Sequence, residues 1–187
     1  MAPRRDRRPL TTGLPGVYGA APASPGHELP GRRGLVHNGR VVAYLDICAL
    51  KRPFDDQTQP RIRVEATAVL ELLAVSPERV TFLHSPAHDV ENAQNPLPAR
   101  AGRVAAWLES ATTAPAAKAD DLARRTHELM TLGLRNFDAF HVACAELGGA
   151  DVFATTDDRL LALGDRHANV LRVRVIDVVT LVREVFA

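Results

Sequence analysis

Four short apolar runs constrain this chain more than any other feature. They are VVAYLD (41–46), VTFLHS (80–85), DVFATT (151–156) and VLRVRVI (170–176), each the length of an ordinary strand. Between them lie stretches of helical periodicity. RIRVEATAVLELLAV (61–75) puts Ile62, Ala66, Val69, Leu70 and Leu73 on one face. ARAGRVAAWLESAT (99–112) and DDLARRTHELMTLG (120–133) are amphipathic. A further helix is expected from a capping Asn136 through Leu147, stopped by Gly148 and Gly149, with Phe137, Phe140, Cys144 and Leu147 as its buried stripe. DRLLALGDR and DVVTLVREVF read as helices after the third and fourth strands, and Pro86 to Asn95 as a short helix or loop closed by Pro96. Strands alternating with helices predict βαβ units. The expectation is an α/β domain whose central, mostly parallel sheet of four to five strands is flanked by helices.

With 187 residues and 46% hydrophobic content, the chain can build one domain with a true core, but not two. That domain is expected over 41–187. Residues 1–40 are rich in Pro, Gly and Arg and show no apolar period, so they read as a disordered extension. A basic RNA-contacting arm, a loose tail and translation from an upstream start are its alternative readings. The formal net charge is +1. Arg4, Arg5, Arg7, Arg8, Arg32, Arg33 and Arg40 face only Asp6 and Glu28 in the extension, so the rest of the chain is acidic on balance. An acidic domain meets a polyanion only through local basic groups or bridging metal ions. Cys48 and Cys144 form no disulfide framework, and no run is long enough to span a membrane. A cytoplasmic protein is the expectation.

In an open parallel sheet, ligands bind beyond the carboxyl ends of the strands. The first strand ends in Asp46. The third runs into Thr155-Thr156-Asp157-Asp158, the second leads to Glu91 six residues after Ser85, and Asp138 opens the helix that feeds the third strand. Carboxylates gathered without matching Lys repel and raise one another's pKa, a conflict that hard divalent cations resolve. A divalent ion in such a site activates water and stabilises a leaving oxygen, so phosphodiester hydrolysis is the chemistry expected. Capping alone would account for Asp138 or Asp157 taken singly.

Three segments carry a family resemblance. YLDICALKRPFDDQ (44–57), SPAHDVENAQNP (85–96) and above all LRNFDAFHVACAELGGADVFATTDDRLL (134–161) are similar to the motifs of the PIN-domain family, most closely its bacterial toxin-like ribonuclease branch. The resemblance covers about residues 41–180. It implies a three-layer PIN-like fold and Mg²⁺- or Mn²⁺-dependent cleavage of RNA. Asp46, Glu91, Asp138 and Asp157 would be the catalytic metal-site acids, and Thr155 would orient the site. It also implies a homodimer and a small antitoxin protein as partner. Cys48 stands where the family often has Ser or Thr. A catalytically inactive PIN-like RNA-binding or adaptor domain is the alternative; a phosphoacceptor receiver domain would need a late Lys, and none follows Lys118.

Other residues have competing readings. Lys51 and Arg52, in a loop after the first acid, would bind an RNA phosphate or simply face solvent. Asp158 rivals Asp157 for the metal, and Asp89 rivals Glu91. Asp55 and Asp56 read as caps of the helix near Pro60 before metal ligands. His84 and His88 have zinc-like spacing, but Pro86 lies between them. His141, one turn after Asp138, is read as a buried structural histidine that could bond within the site.

Overall fold

The computed structural model of the protein describes residues 40–187. The expectation for the N-terminal extension therefore lies outside the described residues, Arg40 excepted. Among these residues a five-stranded sheet is built from β1 (Val41–Leu45), β2 (Val80–His84), β3 (Thr112–Thr113), β4 (Val152–Thr155) and β5 (Arg174–Asp177). The order is β3-β2-β1-β4-β5 and every pairing is parallel. The helices are α1 (Ile47–Lys51), α2 (Pro60–Ala74), α3 (Pro86–Asn92), α4 (Pro98–Glu109), α5 (Ala119–Thr131), α6 (Asn136–Leu147), α7 (Asp158–Arg166) and α8 (Val178–Phe186).

The alternation of side chains along the central strands makes three layers. Val41, Ala43 and Leu45 of β1, with Val152 and Ala154 of β4, face a core completed by Val69 and Leu72 of α2, Val104 of α4 and Leu181 of α8. Tyr44 and Phe153 point the other way, into a core built with Leu129 of α5, Val142 and Ala143 of α6 and Leu160 of α7. Burial on both faces explains why β1 and β4 read as continuous apolar runs. The three-layer α/β architecture and the parallel sheet agree with expectation. No helix among the described residues is long and apolar enough to cross a membrane.

Several local expectations are corrected. The segment after Asp46 is not a loop: it is α1 followed by a 3₁₀ turn over Arg52–Phe54. α2 is rotated from the expected face, since Leu70 is exposed while Glu65, Ala68 and Leu72 are buried. Arg135, not Asn136, occupies the N-cap of α6, and its side chain makes no capping bond. The buried stripe of α6 is Ala139, His141, Val142, Ala143, Cys144 and Ala145, with Phe137 exposed. Small residues let this helix lie close on the sheet, which leaves the bulky phenylalanines at its margins. The last strand begins at Arg174, not Val170, because the Arg172 amide is bonded to Glu146 Oε1 at 2.8 Å. The two-residue β3 has no apolar pattern that could announce it.

Candidate metal centre

β1 lies between β2 and β4 in a strand order that runs outward on both sides, so the chain switches direction at β1. Such a switch opens a crevice at the strands' carboxyl ends. Asp46 stands there, at the N-cap of α1, in extended backbone and with its side chain free of capping duty. Thr155 at the end of β4 donates to Asp46 Oδ2 at 2.7 Å, and the Cys48 thiol donates to the same oxygen at 2.9 Å. Burial, then the neighbouring Asp46 charge, pushes the Cys48 thiol pKa upward, so it stays a protonated donor. A thiol thus performs the task expected of a hydroxyl.

Glu91, on α3, and His141, on α6, meet Asp46 in one place. One ligand atom from each of the three lies within 4.8 Å of the other two, so this group could hold a metal ion. Glu91 Oε2 is 3.0 Å from His141 Nε2, and Lys51 Nζ is 3.4 Å from Glu91 Oε1. Burial pushes the Glu91 carboxyl up, but the hydrogen bond and charge of His141, aided by Lys51, outweigh it and leave the pKa lowered. Asp46 is only 8% exposed, and among the described residues no Lys, Arg or His pairs with it. Buried charges are ordinarily paired or bound to metal. Two carboxylates, one of them buried without an ion-pair partner, and an imidazole form a donor set that fits a divalent cation.

The remaining predicted acids sit beside this trio. Asp138, half-buried in the first turn of α6, is ion-paired with Arg159 of α7. Its carboxyl pKa is raised, first by burial and further by Asp46 and Asp157, with Arg159 opposing them. Asp157 caps α7, its Oδ1 accepting from the amides of Arg159 at 2.8 Å and Leu160 at 3.2 Å. Its own amide donates to Thr155 Oγ1 at 3.1 Å, so Thr155 ties Asp46 to Asp157. The capping and site readings of Asp157 are therefore compatible.

Several other side chains are engaged away from the trio. Asp158 does not rival Asp157: its side chain is exposed and held by both terminal nitrogens of Arg61 at 2.7 and 2.6 Å. Arg52 is not free for substrate. Its Nη1 is 3.2 Å from Asp55 Oδ2, and its Nε lies 2.6 Å from Glu65 Oε2 in an off-axis ion pair. Asp55 and Asp56 do not cap α2; Asp55 pairs with Arg52 and Arg100, while Asp56 Oδ1 accepts from the amide and hydroxyl of Thr58. Asp89 is turned outward onto His84. His88 is no zinc ligand, since its Nε2 is spent on the Leu45 carbonyl at 2.8 Å.

Sequence reasoning did not foresee Arg159 as a partner of Asp138, because the contact joins residues 21 apart on two helices. The clue to His141 was present in its spacing from Asp138, and it is both buried and within the site. No protein-family model matches the chain, and no curated protein matches it.

Proposed function

We propose that this protein is a metal-dependent endoribonuclease of the PIN-domain type, the toxin of a toxin–antitoxin pair. The observation that carries the reading is Asp46: a buried carboxylate with no cationic side chain paired to it among the described residues, beside Glu91 and His141 at the switch of a parallel sheet. Asp46 and Glu91 would hold Mg²⁺ or Mn²⁺, with Asp138 and Asp157 extending the negative rim. A bound divalent ion would supply activation of water and neutralisation of charge on the scissile phosphate. Thr155 fixes the Asp46 carboxylate by its hydroxyl hydrogen bond, and Lys51, which pairs with Glu91, would meet a phosphate oxygen. RNA as substrate, a homodimer and a small antitoxin partner rest on the resemblance of the three segments, and a cytoplasmic setting on the two separate cysteines.

One observation favours a second reading. Arg159 neutralises Asp138, which lowers the negative charge available to a metal and would suit an inactive RNA-binding domain. The two readings separate in one experiment with the full chain and single-stranded RNA. The nuclease reading predicts cleavage with Mg²⁺ or Mn²⁺ that is lost with Asp46→Asn and with Asp138→Asn. RNA retention without cleavage under any divalent ion would favour the binding domain. Cleavage that persists in both variants would overturn the site assignment. Expression without a partner should slow bacterial growth, and Asp46→Asn should relieve it; unimpaired growth on wild-type expression would remove the toxin reading.

A further inference from the structure

His141 sits at one end of a buried chain of hydrogen-bonding groups. Its Nδ1 is 2.7 Å from Tyr44 Oη, and Tyr44 Oη is 2.7 Å from Ser85 Oγ. Ser85 in turn faces His88 Nδ1, from its amide at 3.2 Å and its hydroxyl at 3.4 Å. The far end of the chain has a fixed polarity. His88 Nε2 meets a carbonyl, so it carries the proton, and Nδ1 accepts from the Ser85 amide with its lone pair. The intervening hydroxyls can each donate one way or the other.

For a neutral His141, two arrangements of this chain keep both of its ring nitrogens and the Tyr44 hydroxyl engaged. In one, Ser85 donates to Tyr44, Tyr44 donates to His141 Nδ1, and His141 Nε2–H faces Glu91. In the other, the Ser85 hydroxyl shares the His88 Nδ1 lone pair with the Ser85 amide, Tyr44 donates to Ser85, and His141 Nδ1–H donates to Tyr44. The second leaves the Nε2 lone pair aimed at the Asp46 and Glu91 carboxylates, where only a cation can lie between them. Metal-binding histidines commonly have their other ring nitrogen held by a hydrogen bond that sets the tautomer. The ring cannot turn away: it is 1% exposed, edge-on to Tyr44 and His88 with centroids 5.7 and 5.2 Å distant.

We propose that His141 is a nitrogen ligand of the metal, presented by the Tyr44–Ser85–His88 chain, and that it biases the centre toward Mn²⁺ and other imidazole-accepting first-row ions over Mg²⁺. Mg²⁺ prefers oxygen ligands and keeps much of its water, whereas an imidazole nitrogen adds affinity for first-row transition ions, least for Mn²⁺ and more for the ions that follow it in the series. The proposal rests on the reading of the trio as a metal centre and is independent of the substrate. Metal loading reverses the hydrogen-bond direction from Ser85 to His141 without leaving a buried polar group unpaired. Tyr44 is then a positioning residue.

The test is pulsed electron paramagnetic resonance of Mn²⁺ on the full chain, made with ordinary and with ¹⁵N-labelled histidine. A directly bound nitrogen coupling that changes isotope with the label, and disappears in His141→Gln, is the expected result. Mn²⁺ titrations should show about 10- to 100-fold weaker binding in Tyr44→Phe and a larger loss in His141→Gln, with Mg²⁺ binding less affected by either. Mn²⁺ bound without histidine coupling overturns the proposal and leaves the nuclease reading standing; no Mn²⁺ bound at all overturns both. Should His141→Gln not fold, the isotope exchange in the wild-type chain decides: an unchanged coupling overturns the proposal.

Discussion

Asp46 has no ion-pair partner among the described residues. It is nearly buried, its Oδ2 takes two donors, and it stands near Asp138 and Glu91, which are also acidic. Asp46→Asn removes the charge while keeping the shape. Its melting temperature without metal should equal or slightly exceed that of the wild type, while metal binding falls by about 100-fold or more. A large loss of stability in metal-free conditions would show that the charge is structural. His88 gives a second prediction at this scale. Burial first, then the neighbouring His141, pushes its pKa down to about 3, against 6.5 for an ordinary histidine. The unfolded chain therefore takes up a proton between these values and the folded one does not. Stability should fall as pH drops from about 6.5 toward 3, by up to about 1.4 kcal/mol per pH unit from this residue. Melting curves of His88→Gln should show a shallower fall over that range; an identical slope would mean His88 is not held neutral. Asp46 and Asp157 were legible because they follow apolar strands, whereas Asp138 and Glu91 lie on helices and have no such marker. The partners were not: Arg159, Tyr44 and Ser85 reach the site from separate elements, and the sequence places none of them side by side.

At the scale of elements, the site depends on how α7 and β5 pack. Gly164 of α7 lies against Val175 of β5, where an added Cβ would come within 2.5 Å of the valine Cβ. Gly164→Ala should cost about 1–3 kcal/mol as the helix is forced outward. For a domain of this size each kcal/mol lowers the melting temperature by about 2–4 °C. An unchanged melting temperature would show that the two elements can separate freely. The same helix carries Asp157 at its N-cap and Arg159 in its first turn, so the variant should also disturb the Asp138 ion pair. Helices and central strands were readable from period alone. The register of burial was less so: Leu70 and Phe137 were assigned inward by hydrophobicity, but Glu65, drawn in by Arg52 and Arg61, and the alanines of α6 occupy those faces.

The whole molecule brings these scales together. Two cores clamp a parallel sheet, and the sheet's switch at β1 sets strand-end acids against acids from the helices on either side. The overall charge is close to neutral, so the account gives binding of a polyanion to local cations and a metal rather than to bulk electrostatics. The most direct measurement is the cleavage rate of a labelled single-stranded RNA by EDTA-treated full chain as Mn²⁺ is raised from zero, with Asp46→Asn alongside. The account predicts no cleavage without metal, a rate that rises and saturates with Mn²⁺, and little or none at any concentration in the variant. Cleavage that proceeds in EDTA, or that Asp46→Asn leaves intact, would contradict it.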